Sequence, residues 1–123
     1  MSSASATELI QATLIGEAVD GGPALVFVAD EYMRYLAVNR YACEVLGYTR
    51  DELLGLRVSD IAVARDIDEV YAHMLKNAQA SGVTPLRRRD GTLIPFSFWA
   101  KETTAAGMTY WVTIGFVHEP DRD

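Results

Sequence analysis

The side chains able to do chemistry are few and scattered in this sequence. It holds one cysteine, Cys43, and two histidines, His73 and His118. One thiol and two imidazoles so widely separated offer none of the usual spacings of a zinc site. Asp66, Asp68 and Glu69 crowd one turn at the start of an expected helix, where carboxylates favour the positive end of the helix dipole. Asp68 or Glu69 could act as a base, but no acid, histidine or nucleophile has an evident catalytic partner. The basic run Arg87, Arg88 and Arg89 could hold a phosphate or an acidic partner, with a solvated strand end as the simpler reading. Gly16, Gly21 and Gly22 do not follow a strand as a phosphate-binding loop requires. These residues point away from catalysis and from a metal.

A chain of 123 residues makes one domain, and 50% apolar with 23% charged residues is globular composition. Eleven basic against seventeen acidic residues leave a formal charge of −6, which repels phosphate backbones and argues against nucleic acid. A single cysteine forms no internal disulfide and suits a reducing compartment. No apolar run approaches the roughly 20 residues of a membrane span. The start MSSASATE lacks the features of a secretion signal. The expectation is a cytoplasmic domain with no membrane and no nucleic-acid partner.

Several elements must position whatever this domain binds. Leu9 to Val19 is apolar-rich over about three helical turns, its apolar residues spread around the axis, before Asp20 to Pro23 stops it. It needs something to lean on. Ala24–Ala29 and Met33–Val38 read as a strand pair. Asn39 is a good N-cap for a helix ending at Gly47, and Thr49 with Glu52 has capping-box spacing. A further turn is expected over Ser59–Ala64. Ile67, Val70, Tyr71, Met74, Leu75 and Ala78 recur at helical spacing and predict a helix over 66–80, closed by Ser81 and Gly82. Three strands follow, at 83–88, 93–102 and 108–118, joined by turns at 89–92 and 104–107. The pattern predicts an α+β fold: a five-stranded antiparallel sheet with short helices and one longer helix on one face, plus an N-terminal helix. The expected divisions are 1–22 (polar start and cap helix), 23–118 (the domain) and 119–123 (a polar tail).

Asn39 to Tyr48 (NRYACEVLGY) followed by Asp51 to Gly55 (DELLG) resembles the segment after the second strand of PAS domains. Arg87 to Thr92 (RRRDGT), leading into Leu93 to Phe96, is similar to the charged hairpin before the fourth strand of that family. Ala24–Asp30 and Tyr110–Val117 resemble its first and fifth strands, so the likeness runs in order from Ala24 to Val117. It implies a sensory or interaction module, not an enzyme. Such modules hold a small molecule, or nothing, between the inner sheet face and the helices. They pass changes there to a dimer interface or an attached effector.

The resemblance also tests cofactors. Light-oxygen-voltage flavin receptors carry a reactive cysteine three residues beyond the glycine matching Gly55; here that position is Val58, which excludes their thiol adduct chemistry. Haem-binding relatives ligate iron from the long helix. His73 lies roughly 130° from the centre of that helix's apolar stripe, at 100° per residue. The family's ligand position falls near Asp68, so haem is disfavoured. Cys43 reads as a small buried thiol. In place of the Asp-x-Thr element ending many such domains stand Glu119, Pro120 and Asp121, as in a fragment of a larger receptor or a stand-alone unit signalling through its N-terminal helix.

Aligned this way, Phe96, Phe98, Trp111, Thr113 and Gly115 face inward. With Val70, Tyr71 and Met74 they would line a pocket for a planar or apolar ligand, or simply fill the core. Thr113 and Gly115 are expected to keep part of the sheet open. The outward set Trp99, Tyr110, Val112, Ile114 and Phe116 is too apolar for a solvated face. Leu9, Ile10, Leu14 and Ile15 of the first helix are the expected cover, within the chain or across a homodimer. Two functions stay open: a ligand-binding sensor that signals through homodimerisation, and a ligand-free dimerisation or docking module.

Overall fold

The computed structural model of the chain describes residues 6–63 and 77–118. Helix α1 (Ala6–Asp20) leads into strands β1 (Leu25–Asp30) and β2 (Tyr35–Val38). Three short helices follow, α2 (Arg40–Leu46), α3 (Arg50–Leu53) and α4 (Val58–Ile61). Strands β3 (Gln79–Arg87), β4 (Leu93–Ala105) and β5 (Met108–Val117) complete the order. The five strands form one antiparallel sheet in the order β2-β1-β5-β4-β3.

The local signals act where the sequence placed them. Asn39 Oδ1 accepts from the Ala42 amide at 3.1 Å and opens α2, and Gly47, left-handed at φ 81°, closes it. Thr49 and Glu52 make the reciprocal capping box of α3, at 3.1 Å and 2.9 Å. The β4–β5 hairpin turns on Ala106 and Gly107, both at positive φ, which matches the right-handed twist of the strands they join.

One boundary differs from the sequence expectation. The helix predicted over 66–80 does not reach residue 80: Gln79 and Ala80 already pair with Lys101 and Ala100 in the sheet. Ser81 and Gly82, read as a helix stop, are mid-strand opposite Trp99 and Phe98. The reversal falls at Ala78, at φ 59°, a conformation an alanine does not announce in sequence. Most of that predicted helix lies outside the described residues.

The buried residues form two clusters. Leu25, Phe27, Tyr35, Val38, Ala42, Leu46, Leu53, Ile61, Leu86, Ile94 and Phe96 join the inner sheet face to α2, α3 and α4. Met33, Ala80, Ala100 and Trp111 form a second, smaller cluster. Val58 and Phe98 pack against both.

Candidate functional site

Alternation along β4 and β5 sorts the inner from the outer side chains. On β4, Ile94, Phe96 and Ala100 are buried and Phe98 is half-buried. On β5, Trp111 and Gly115 are buried and Thr113 is half-buried, whereas Ile114 and Phe116 are exposed. The inner and outer sets thus separate as the alternation expects.

The inner face has two unlike halves. At one end Phe27 meets Phe96 edge-on at 5.9 Å between centroids, and Phe96 stacks with Phe98 at 6.2 Å. A Cβ on Gly115 would lie 2.6 Å from the Phe96 ring and would collide with the Ser97 carbonyl oxygen. Gly115 therefore does not keep the sheet open, as the sequence suggested. Its missing side chain is the room that Phe96 fills.

The other end gathers Met33, Ala80 and Ala100 around Trp111, with Val58 and Phe98 packed against them. Trp111 is 2% exposed and lies with Ala80 and Ala100, and Ala29 and Glu102 are its neighbours in register. Its indole Nε1 is buried without a hydrogen-bond partner among the described residues. A buried donor left unmade costs about 1–3 kcal/mol, so it requires an explanation. The Thr84 hydroxyl, also on the inner face, is likewise buried and unpartnered among the described residues. Periodicity marked Trp111 as inward, but only the packed sheet shows that it has no acceptor among the described residues. Val70, Tyr71 and Met74 of the expected pocket lie outside the described residues, as do Asp68, Glu69 and His73.

The outer face carries Trp99, Ile114 and Phe116 exposed at 45%, 39% and 51%, with Tyr110 and Val112 half-buried. Trp99 stands opposite Ile114, and Val26 and Val28 of β1 flank Ile114 and Val112. Exposed Val83 on edge strand β3 extends the patch, a residue the sequence reading missed. Leu9, Ile10, Leu14 and Ile15 of α1 are each more than half exposed, and α1 buries no residue. The helix therefore does not cover the sheet within one chain, the simpler of the two arrangements expected.

What holds α1 is its C-terminal end. Asn39 Nδ2 donates to Val19 O at 2.6 Å and to Ala24 O at 2.8 Å, while Oδ1 also accepts from the Val26 amide at 3.0 Å. Asp20 Oδ1 accepts from the Arg40 amide at 2.8 Å and from Arg50 Nη2 at 3.3 Å.

The chemistry-bearing residues do not assemble into a reactive centre. Burial raises the Cys43 thiol, more than the nearby Arg50 charge lowers it, which disfavours the nucleophilic thiolate. Arg89 pairs with Glu52 at 2.8 Å and its amide donates to Leu46 O, tying the β3–β4 turn to the helices. Ser97 Oγ lies 2.5 Å from His118 Nε2 on the outer side, a pair the sequence reading missed. That is nucleophile-and-base spacing, but the pair is exposed and no described carboxylate orients the imidazole. Among the described residues no His, Cys, Asp and Glu side chains group as a metal site, and no helix is long and apolar enough to cross a membrane.

A five-stranded antiparallel sheet in this strand order, with short helices packed on one face, is an α+β module. The family model described as "PAS domain" matches residues 23–119, and the chain belongs to that family. PAS domains are generally sensory and signalling modules. The chain is similar to the PAS domain of a two-component sensor histidine kinase (TM-score 0.78, 14% identity, covering 89% of this chain and 98% of that one). It is similar to the PAS domain of an HTR-like protein from Haloarcula marismortui (TM-score 0.78, 18% identity, 89% and 93% covered). It also resembles a domain of a sensory box sensor histidine kinase/response regulator from Geobacter sulfurreducens (TM-score 0.69, 23% identity, 88% and 96% covered). At these identities the likeness is one of fold. No curated protein matches the chain.

Proposed function

We propose that this PAS domain is a sensor that binds a small ligand against the Trp111 end of its inner sheet face and signals as a homodimer. The observation that carries the reading is a pair of uncovered apolar surfaces on one small chain, the α1 helix and the outer face at Trp99, Ile114 and Phe116. Monomers rarely leave such contiguous surface in water, and a second copy supplies a helix for each sheet. The orphaned Trp111 donor supports the ligand half of the reading. A ligand would act by favouring one docking of α1 over another, which needs only unequal affinity for the two arrangements. Two of the similar structures come from sensor kinases, consistent with output through an attached effector or a partner protein.

The packing at Phe96 favours a second reading. There the inner face is filled by rings, which suits a ligand-free dimerisation or docking module. Sedimentation of the full chain and of Leu14→Glu and Phe116→Glu variants tests the dimer. The expected outcome is a dimer that each substitution converts to a monomer of unchanged fold. A monomeric parent at tens of micromolar, or variants that remain dimeric, would refute this interface. Native mass spectrometry with an absorption spectrum separates the two readings: added mass supports the sensor, and its absence from freshly isolated protein supports the docking module.

A further inference from the structure

Resting on the homodimer reading, we propose that α1 of one copy lies on the outer sheet face of the other in a register set by charge, with Glu17 paired to the partner subunit's Lys101.

The helix carries Glu8, Glu17 and Asp20 and no basic residue. Asp20 is engaged within its own chain by Arg40 and Arg50, whereas Glu17 makes no ion pair among the described residues. At 100° per residue, Glu17 falls about 20° from Ile10 and about 60° from Leu14 around the helix. It therefore stands in the stripe those residues form, and not on the opposite side. A surface that receives Ile10 and Leu14 also receives this carboxylate, which is costly to take out of water without a cation. No residue of α1 supplies one, so the receiving surface must.

The outer sheet face meets that requirement. Lys101 shares the side of Trp99, stands opposite Val112, is exposed, and makes no ion pair among the described residues. The carboxylate in register with this face, Asp30 opposite Tyr110, is closed by Arg34 at 2.9 Å. An acidic helix and a basic face are complementary, whereas two such helices repel each other. Spacing then selects Lys101. With Glu17 above it, Leu14 and Ile10 lie about 4.5 and 10 Å along the helix. The Trp99–Ile114 and Ser97–Phe116 pairs lie about 7 and 14 Å along the strands from Lys101, so apolar residues meet apolar residues. Arg87, the other outward cation of the strands, is opposite Leu93 beyond Pro85 and Pro95. A helix seated there would lay Leu14 and Ile10 over the prolines and stop short of Trp99.

Glu17 and Lys101 are both exposed in the single chain, so reversing either charge is expected to leave the fold intact. In sedimentation of the full chain, Glu17→Lys and Lys101→Glu are each expected to weaken the dimer about tenfold or more, because each brings like charges together. An equimolar mixture of the two variants forms a heterodimer with one native contact and one contact of reversed sign. Its affinity is expected within about threefold of the parent dimer. Contacts within one chain would gain nothing from mixing. A parent dimer that neither reversal weakens, or a mixture as weak as its components, would overturn this register and leave the homodimer standing. Equal recovery when Glu17→Lys is mixed with Arg87→Glu, which matches Lys101→Glu in sign, would overturn it too. A parent that sediments as a monomer at tens of micromolar would remove the homodimer reading and the inference with it.

Discussion

At Gly115 the absence of one carbon determines what the inner sheet face holds. Phe96 occupies the place of its side chain, within 2.6 Å of where a Cβ would sit. Gly115→Ala is expected to lower stability by about 2 kcal/mol through overpacking, read from urea unfolding. An opening at this position would instead accept alanine without loss. Asp30 acts differently, through charge. Burial raises its carboxyl, but the Arg34 and Tyr32 amides and the Arg34 guanidinium, with Nε 2.9 Å from Oδ2, outweigh burial and hold it below its ordinary 3.8. A carboxyl lowered by folding stabilises fully above that ordinary value, and the contribution disappears as pH falls through the lower folded one. Asp30→Ala is expected to cost about 2 kcal/mol at pH 7, and clearly less at pH 2, by urea unfolding at both. An equal cost at both would show that the charge contributes nothing.

Among the elements, α1 is held by its last turn rather than by its length. Asn39 caps α2 and clasps both Val19 and Ala24, using both donors and its carbonyl oxygen twice. Asn39→Ala orphans those groups together and is expected to cost about 3 kcal/mol. Asn39→Asp retains the acceptor that caps α2 and loses the donations to Val19 and Ala24. Faster amide hydrogen exchange at the C-terminal turn of α1, with α2 unchanged, is the expected signature; unchanged exchange in α1 would show that Asp20 and its arginines suffice. Asn39 was legible in sequence as a cap because capping depends on local spacing. Its clasp on residues about fifteen to twenty positions earlier was not, because no periodicity records which carbonyls a fold brings to one side chain. The end of the long predicted helix was hidden for a related reason: pairing of Gln79 and Ala80 with β4 overrides local helical preference.

For the whole molecule, the question is where the apolar surface goes. One chain leaves both α1 and the outer face of the sheet uncovered, and neither reaches the other. Sedimentation is therefore the measurement at this scale, since it reads the assembly directly and not any one contact. Both surfaces were visible beforehand as an apolar helix and a strand with no polar face. The sequence could not say whether one covered the other within the chain.

By itself the sequence determined the fold class, the caps, the turns and the two faces of β4 and β5, because those follow from short-range spacing and the two-residue period of a strand. Tertiary structure alone showed that Phe96 fills the space beside Gly115, that Trp111 is buried without an acceptor among the described residues, and that Asn39 fastens α1. Each of these depends on atoms brought together from distant parts of the chain, and only the packed sheet fixes their distances.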